Sequence, residues 1–74
     1  MITWNYRVRK RIALGEDVYE IIEAYYKNDN DVCLWSDAQA PQGDSVDALR
    51  EDLSLMTSAL DLPVMDDADL PRGD

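Results

Sequence analysis

Carboxylates are the groups that could do chemistry in this chain. Sixteen Asp and Glu stand against seven Lys and Arg, and there is no histidine. Without an imidazole the commonest general acid–base group is missing, and neither a Ser-His nor a Cys-His nucleophile can be assembled. Acid–base work would fall to carboxylate pairs, and no pair is marked out by its neighbours. Glu20 and Glu23 point to opposite faces if their segment is extended, so they do not cooperate. The sequence is therefore read as that of a protein that is not an enzyme.

Metal chemistry fares no better. "NDND" (28–31), "DSVD" (44–47) and "MDDADL" (65–70) are acidic enough to suggest cation loops. None has the glycine at the sixth position and the glutamate at the twelfth that a calcium loop needs. Zinc needs more Cys or His than the single Cys33. These acids read as solvated turn residues, and Cys33, in an apolar stretch, reads as a packing residue. Neither a metal nor any other cofactor is expected. The closing "RGD" (72–74) matches an integrin ligand in three residues only and is set aside.

What remains is binding. The formal net charge is −9, and it is unevenly placed. Residues 1–13 carry +4, residues 14–43 carry −6 and residues 44–74 carry −7. Direct nucleic-acid binding needs Lys and Arg against phosphate, so it is not expected. A basic partner is, because opposite fields speed encounter and set register.

The positioning elements follow from periodicity. From Thr3 to Ala13 the pattern alternates, with Trp4, Tyr6, Val8 and Ile12 on one face and Asn5, Arg7, Arg9 and Arg11 on the other. That is a half-buried strand, with Lys10 free to snorkel. "LGED" (14–17) supplies a turn around Gly15, and "VYEIIEAYYK" (18–27) reads as a second strand. A four-residue loop puts Ile21 and Tyr25 on the core face and brings Arg11 opposite Glu20; a three- or five-residue loop selects Ile22 and Tyr26. Residues 28–31 make a turn, "VCLWS" (32–36) a short third strand, and residues 37–43 a loop. Asp44 or Ser45 caps a helix whose Val46, Leu49, Leu53, Met56 and Leu60 form one apolar stripe, ending before Pro63. The expected fold is α+β: a three-stranded antiparallel sheet in the order βββα, with one amphipathic helix packed on one face. Residues 1–62 make a single domain and residues 63–74 an acidic tail. No segment has the length and apolarity of a membrane span or a signal peptide, so the expectation is a cytoplasmic protein in a bacterial host cell.

Three strands followed by Gly43, Asp44 and Ser45, with Val46, Leu49 and Leu53 at the apolar positions, resemble the HicB-like antitoxin domain, a partial RNase-H-like fold. The likeness covers roughly residues 3 to 62. It implies a module that binds and neutralises a toxin or other partner protein. The chain also looks like small bacterial and phage proteins that carry "WNYR" near the N-terminus.

The helix exterior narrows the binding reading. Asp47, Glu51, Ser54 and Ser58 oppose the apolar stripe, Asp44 stands at the helix start, Asp52 is on the flank, and Leu55 lies on the exposed side. Early acids favour the helix dipole, but that does not account for Leu55 or for Asp61, Asp66, Asp67 and Asp69. An acidic row beside an apolar residue can stand in for phosphates and engage a partner's arginines in bidentate pairs. The expected partner-binding residues are thus Asp44, Asp47, Glu51, Asp52, Leu55, Asp61, Asp66, Asp67 and Asp69. The expected activity is that of a DNA-mimic inhibitor, of the anti-CRISPR or anti-restriction kind. It would cover the basic nucleic-acid-binding surface of a partner such as a CRISPR effector subunit, acting as a monomer or weak homodimer. The HicB-like antitoxin module is the alternative.

Overall fold

The computed structural model describes residues 2–27 and 31–71. The expected turn at 28–31 therefore falls mostly outside the described residues, as does the 72–74 tripeptide. The chain runs β1 (Thr3–Ala13), β2 (Glu16–Tyr26), β3 (Val32–Trp35), α1 (Val46–Ser58), a 3-10 turn η1 (Ala59–Asp61), β4 (Met65–Asp66) and a second 3-10 turn η2 (Asp67–Asp69). The fold is α+β, with one α-helix and a four-stranded mixed sheet in the order β3-β2-β1-β4. The expected three antiparallel strands are joined by a fourth, β4, which runs parallel to β1 beside Arg9 and Lys10.

The β1–β2 hairpin turns in two residues rather than four, because Ala13 pairs with Glu16. Leu14 and Gly15 both have positive φ, 52° and 81°, as the type I′ hairpin turn requires. Shortening the loop by two slides the register by two but keeps every side chain on its face. Ile21 and Tyr25 accordingly lie opposite Val8 and Trp4, and Glu20 lies opposite Arg9 rather than Arg11.

The sheet buries both faces. On one, Tyr6 and Val8 pack with Met56 and Ala59, joined by Ile21. On the other, Ile22 and Ala24 are fully buried. This second face carries Arg7, Arg9 and Trp35, which lie in register with Ile22, Glu20 and Ala24. It is crossed by the C-terminal segment. The Arg7 guanidinium donates to the Pro63 carbonyl at 2.7 Å, Arg9 pairs with Asp67 at 3.8 Å, and the Trp35 indole donates to the Pro71 carbonyl at 2.9 Å. Leu70 is buried. Residues 63–71, expected as a free acidic tail, therefore form a strap tied to the sheet at three places.

The helix begins as expected: the Ser45 side chain accepts from the Ala48 amide at 3.0 Å. Its rotation differs. Only Met56 is buried in α1, while Val46 is 70 % exposed, Leu53 46 % and Leu60 67 %. The inward side is instead occupied by Asp52, which accepts from the Tyr6 hydroxyl at 2.6 Å and from the Gln42 amide at 2.9 Å. With Asp52 facing the sheet, Leu49 and Met56 of the expected stripe stay inward while Val46, Leu53 and Leu60 turn outward. Gly43 allows the close approach, since a Cβ there would lie 2.5 Å from the Leu49 nitrogen. Trp4 and Ile12, expected under the helix, are exposed as well. Eleven strand residues span about 36 Å, whereas thirteen helical residues span about 20 Å; the helix cannot cover both ends of the strand. Among the described residues no helix is long and apolar enough to cross a membrane.

Candidate functional site

The acids expected to bind a partner divide between two regions. Asp44 is exposed just before the helix cap, Asp47 and Glu51 along the first half of the helix, and Asp61 in η1. Asp66, Asp67 and Asp69 belong to the strap, on the far side of the sheet. The nine residues therefore do not form one surface.

Their local roles differ too. Asp47 pairs with Arg50 at 2.8 Å, one helical turn on, in an exposed geometry that neutralises part of its charge. Glu51 has no ion pair among the described residues. Asp52 faces the sheet, and its carboxyl is held below its usual range by the Tyr6 hydroxyl first and the Gln42 amide second. The same contact, helped by burial, pushes the Tyr6 hydroxyl up to about 12. Asp52 is thus a half-buried clamp between sheet, loop and helix. Asp66 caps η2 by accepting from the Ala68 amide at 3.0 Å. Asp67 pairs with buried Arg9. Asp69 lines a cavity of about 560 Å³ between the start of β3 and the strap, together with Asp31 and Asp66. Among the described residues no group of three or more Cys, Asp or Glu is placed to hold a metal ion.

Leu55 is exposed as expected, and it has a neighbour the sequence reading placed in the core. Trp4, Asn5, Tyr6, Leu55 and Ser58 line a notch of about 280 Å³ between β1 and the helix. Trp4 is 48 % exposed and Leu55 55 %. The Trp4 ring stands edge-on to Tyr6, with centroids 5.2 Å apart, and tilted towards Tyr25 at 6.3 Å. The indole leans on two tyrosines and presents its exposed half as apolar area. Glu51 lies one turn before Leu55 on the helix, about 6 Å along the axis. The candidate site is this surface: the Trp4–Leu55 notch, with Glu51, Asp47 and Asp44 leading away from it.

The basic strand is spent internally. Arg9 is buried, 4.9 Å above the Trp35 ring and paired with Glu20 and Asp67. Arg11 pairs with Glu20, and Arg7 donates to the Tyr26 hydroxyl and the Pro63 carbonyl. Lys10 reaches Asp17 at 3.9 Å. Three of the four positive charges of β1 thus have carboxylate partners within the chain and Arg7 is held by neutral groups, while the net charge is negative. No family model, curated protein or solved structure matches this chain.

Proposed function

We propose that this protein is a small non-enzymatic inhibitor that occupies the basic nucleic-acid-binding surface of another protein and blocks its access to DNA. This is the manner of DNA-mimic anti-CRISPR and anti-restriction proteins, at work in the cytoplasm of a bacterial host. The observation that carries the reading is the sorting of charge. The four bases of β1 are turned to internal partners, while Asp44, Asp47 and Glu51 project beside an exposed Trp4–Leu55 notch. Carboxylates in a row with apolar anchors suit an arginine-rich groove, where each fully desolvated pair gains from bidentate geometry. The internal engagement of Arg7, Arg9 and Arg11 weighs against the HicB-like alternative, which would use the arginine face.

The test is competition. Captured from host lysate at low salt, the partner should be released by duplex DNA and by raised ionic strength. Asp44→Lys, Asp47→Lys and Glu51→Lys together should abolish capture while leaving the circular dichroism spectrum unchanged. Asp52 is left alone because its reversal would undo the helix clamp. Capture that survives the triple reversal, or that DNA does not compete, sinks the proposal.

A further inference from the structure

We infer that the Trp4–Leu55 notch is an arginine receptor: it takes the side chain of one arginine from the basic partner, the guanidinium over the Trp4 indole and the aliphatic stem against Leu55. The inference rests on the proposed function and names the chemistry of its central contact.

Four features of the notch point to this occupant. Trp4, Tyr6 and Leu55 give it an apolar and aromatic wall, which suits a methylene stem, beside the polar Asn5 and Ser58. Its aromatic wall is held in place, since Trp4 leans on Tyr6 and Tyr25, whose hydroxyls are each tied to a carboxylate, Asp52 and Glu23. The exposed part of the indole is available to a cation, which the ring quadrupole attracts. Glu51, exposed one turn before Leu55 on the same helix, supplies a carboxylate of the kind a planar guanidinium engages in a forked contact. Charge complementarity also favours a basic occupant over a second copy of this chain, since two molecules of charge −9 repel at long range. Arginine is favoured over lysine because the guanidinium is planar, weakly hydrated and stacks on indole, whereas an ammonium keeps its water.

The experiment uses the full chain and two probes, an oligo-arginine peptide and an oligo-lysine peptide of equal length. Binding is read by NMR on the two indole N–H signals. Trp35 serves as the internal control, because its indole donates to the Pro71 carbonyl beneath the strap. The arginine peptide should shift the Trp4 indole and the Leu55 methyls and leave Trp35 in place. The lysine peptide should bind with similar salt dependence without moving Trp4. Trp4→Ala should weaken the arginine peptide by about tenfold, and Leu55→Ser, an exposed change that leaves the aromatic cluster intact, by several fold. Glu51→Gln should weaken it too. Arginine-peptide binding that leaves Trp4 and Leu55 unmoved overturns the receptor and leaves the acidic-surface reading standing. Equal shifts from both peptides overturn the assignment to arginine, and no binding by either overturns both readings.

Discussion

Tyr6 is the residue on which the helix dock depends. Its ring is buried beneath α1 and its hydroxyl donates to Asp52. Folding favours neutral Tyr6, so this contribution is whole below pH 10 and disappears as pH rises from 10.0 to about 12. Folding also favours ionised Asp52, so that contribution is whole above pH 3.8 and is lost as pH falls through the lowered value. Urea midpoints followed across pH should therefore fall at both ends. Tyr6→Phe should cost about 1–2 kcal/mol at neutral pH and flatten the alkaline limb; an unchanged midpoint would show the bond to be idle. Arg9 is the second such residue. Truncating it removes the pairs with Glu20 and Asp67 and the guanidinium over Trp35, so Arg9→Ala should cost about 3 kcal/mol in the same assay. Arg11→Ala, at a half-exposed site, should cost less than about 1 kcal/mol. The alternation of β1 made the two faces legible, but not that the arginine face would be a second interior. That depends on a strap whose own sequence, rich in Asp and Pro, carries no apolar period.

Among the elements, the hairpin turn and the helix make opposite points. Leu14 sits at φ 52°, wholly exposed, in a conformation that costs an L residue about 1–2 kcal/mol. Leu14→Asn should recover about 1 kcal/mol, a rise in Tm of about 4–8 °C by calorimetry for a domain of this size. No rise would mean that Leu14 has a role the turn does not explain. At the helix, Gly43→Ala drives a Cβ into the first-turn backbone and should cost about 1–3 kcal/mol. Glycine in both turn and loop was visible in the sequence; which one was sterically obligatory was not. The helix itself was legible from Ser45 to its end, yet its azimuth was not. Periodicity locates an apolar stripe but does not weigh it against a polar anchor. Here the Asp52 clamp wins, leaving Val46, Leu53 and Leu60 outside. Trp4 could have been flagged from lengths alone, since a thirteen-residue helix falls short of an eleven-residue strand's ends.

At the scale of the whole molecule, charge dominates. Like charges repel across a domain of net −9, and raising ionic strength from about 0.01 M to about 0.15 M shortens the screening length from about 30 Å to about 8 Å. Thermal stability of the free protein should therefore rise with salt even as its hold on a basic partner weakens. A Tm that falls with salt would mean that the internal arginine pairs outweigh the repulsion. The same internal pairs also bear on how the chain is made. The hairpin can close as soon as its residues are synthesised, because its contacts are local. Arg7, however, must wait for a carbonyl 56 residues downstream, and the Trp35 indole for one 36 residues downstream. Until then the basic strand has only the hairpin acids Asp17 and Glu20 beside it, and its arginine face lacks the strap. Completion of the strap is thus the last step in closing the arginine face, taken after the acids that follow β1 have already turned the growing chain net negative.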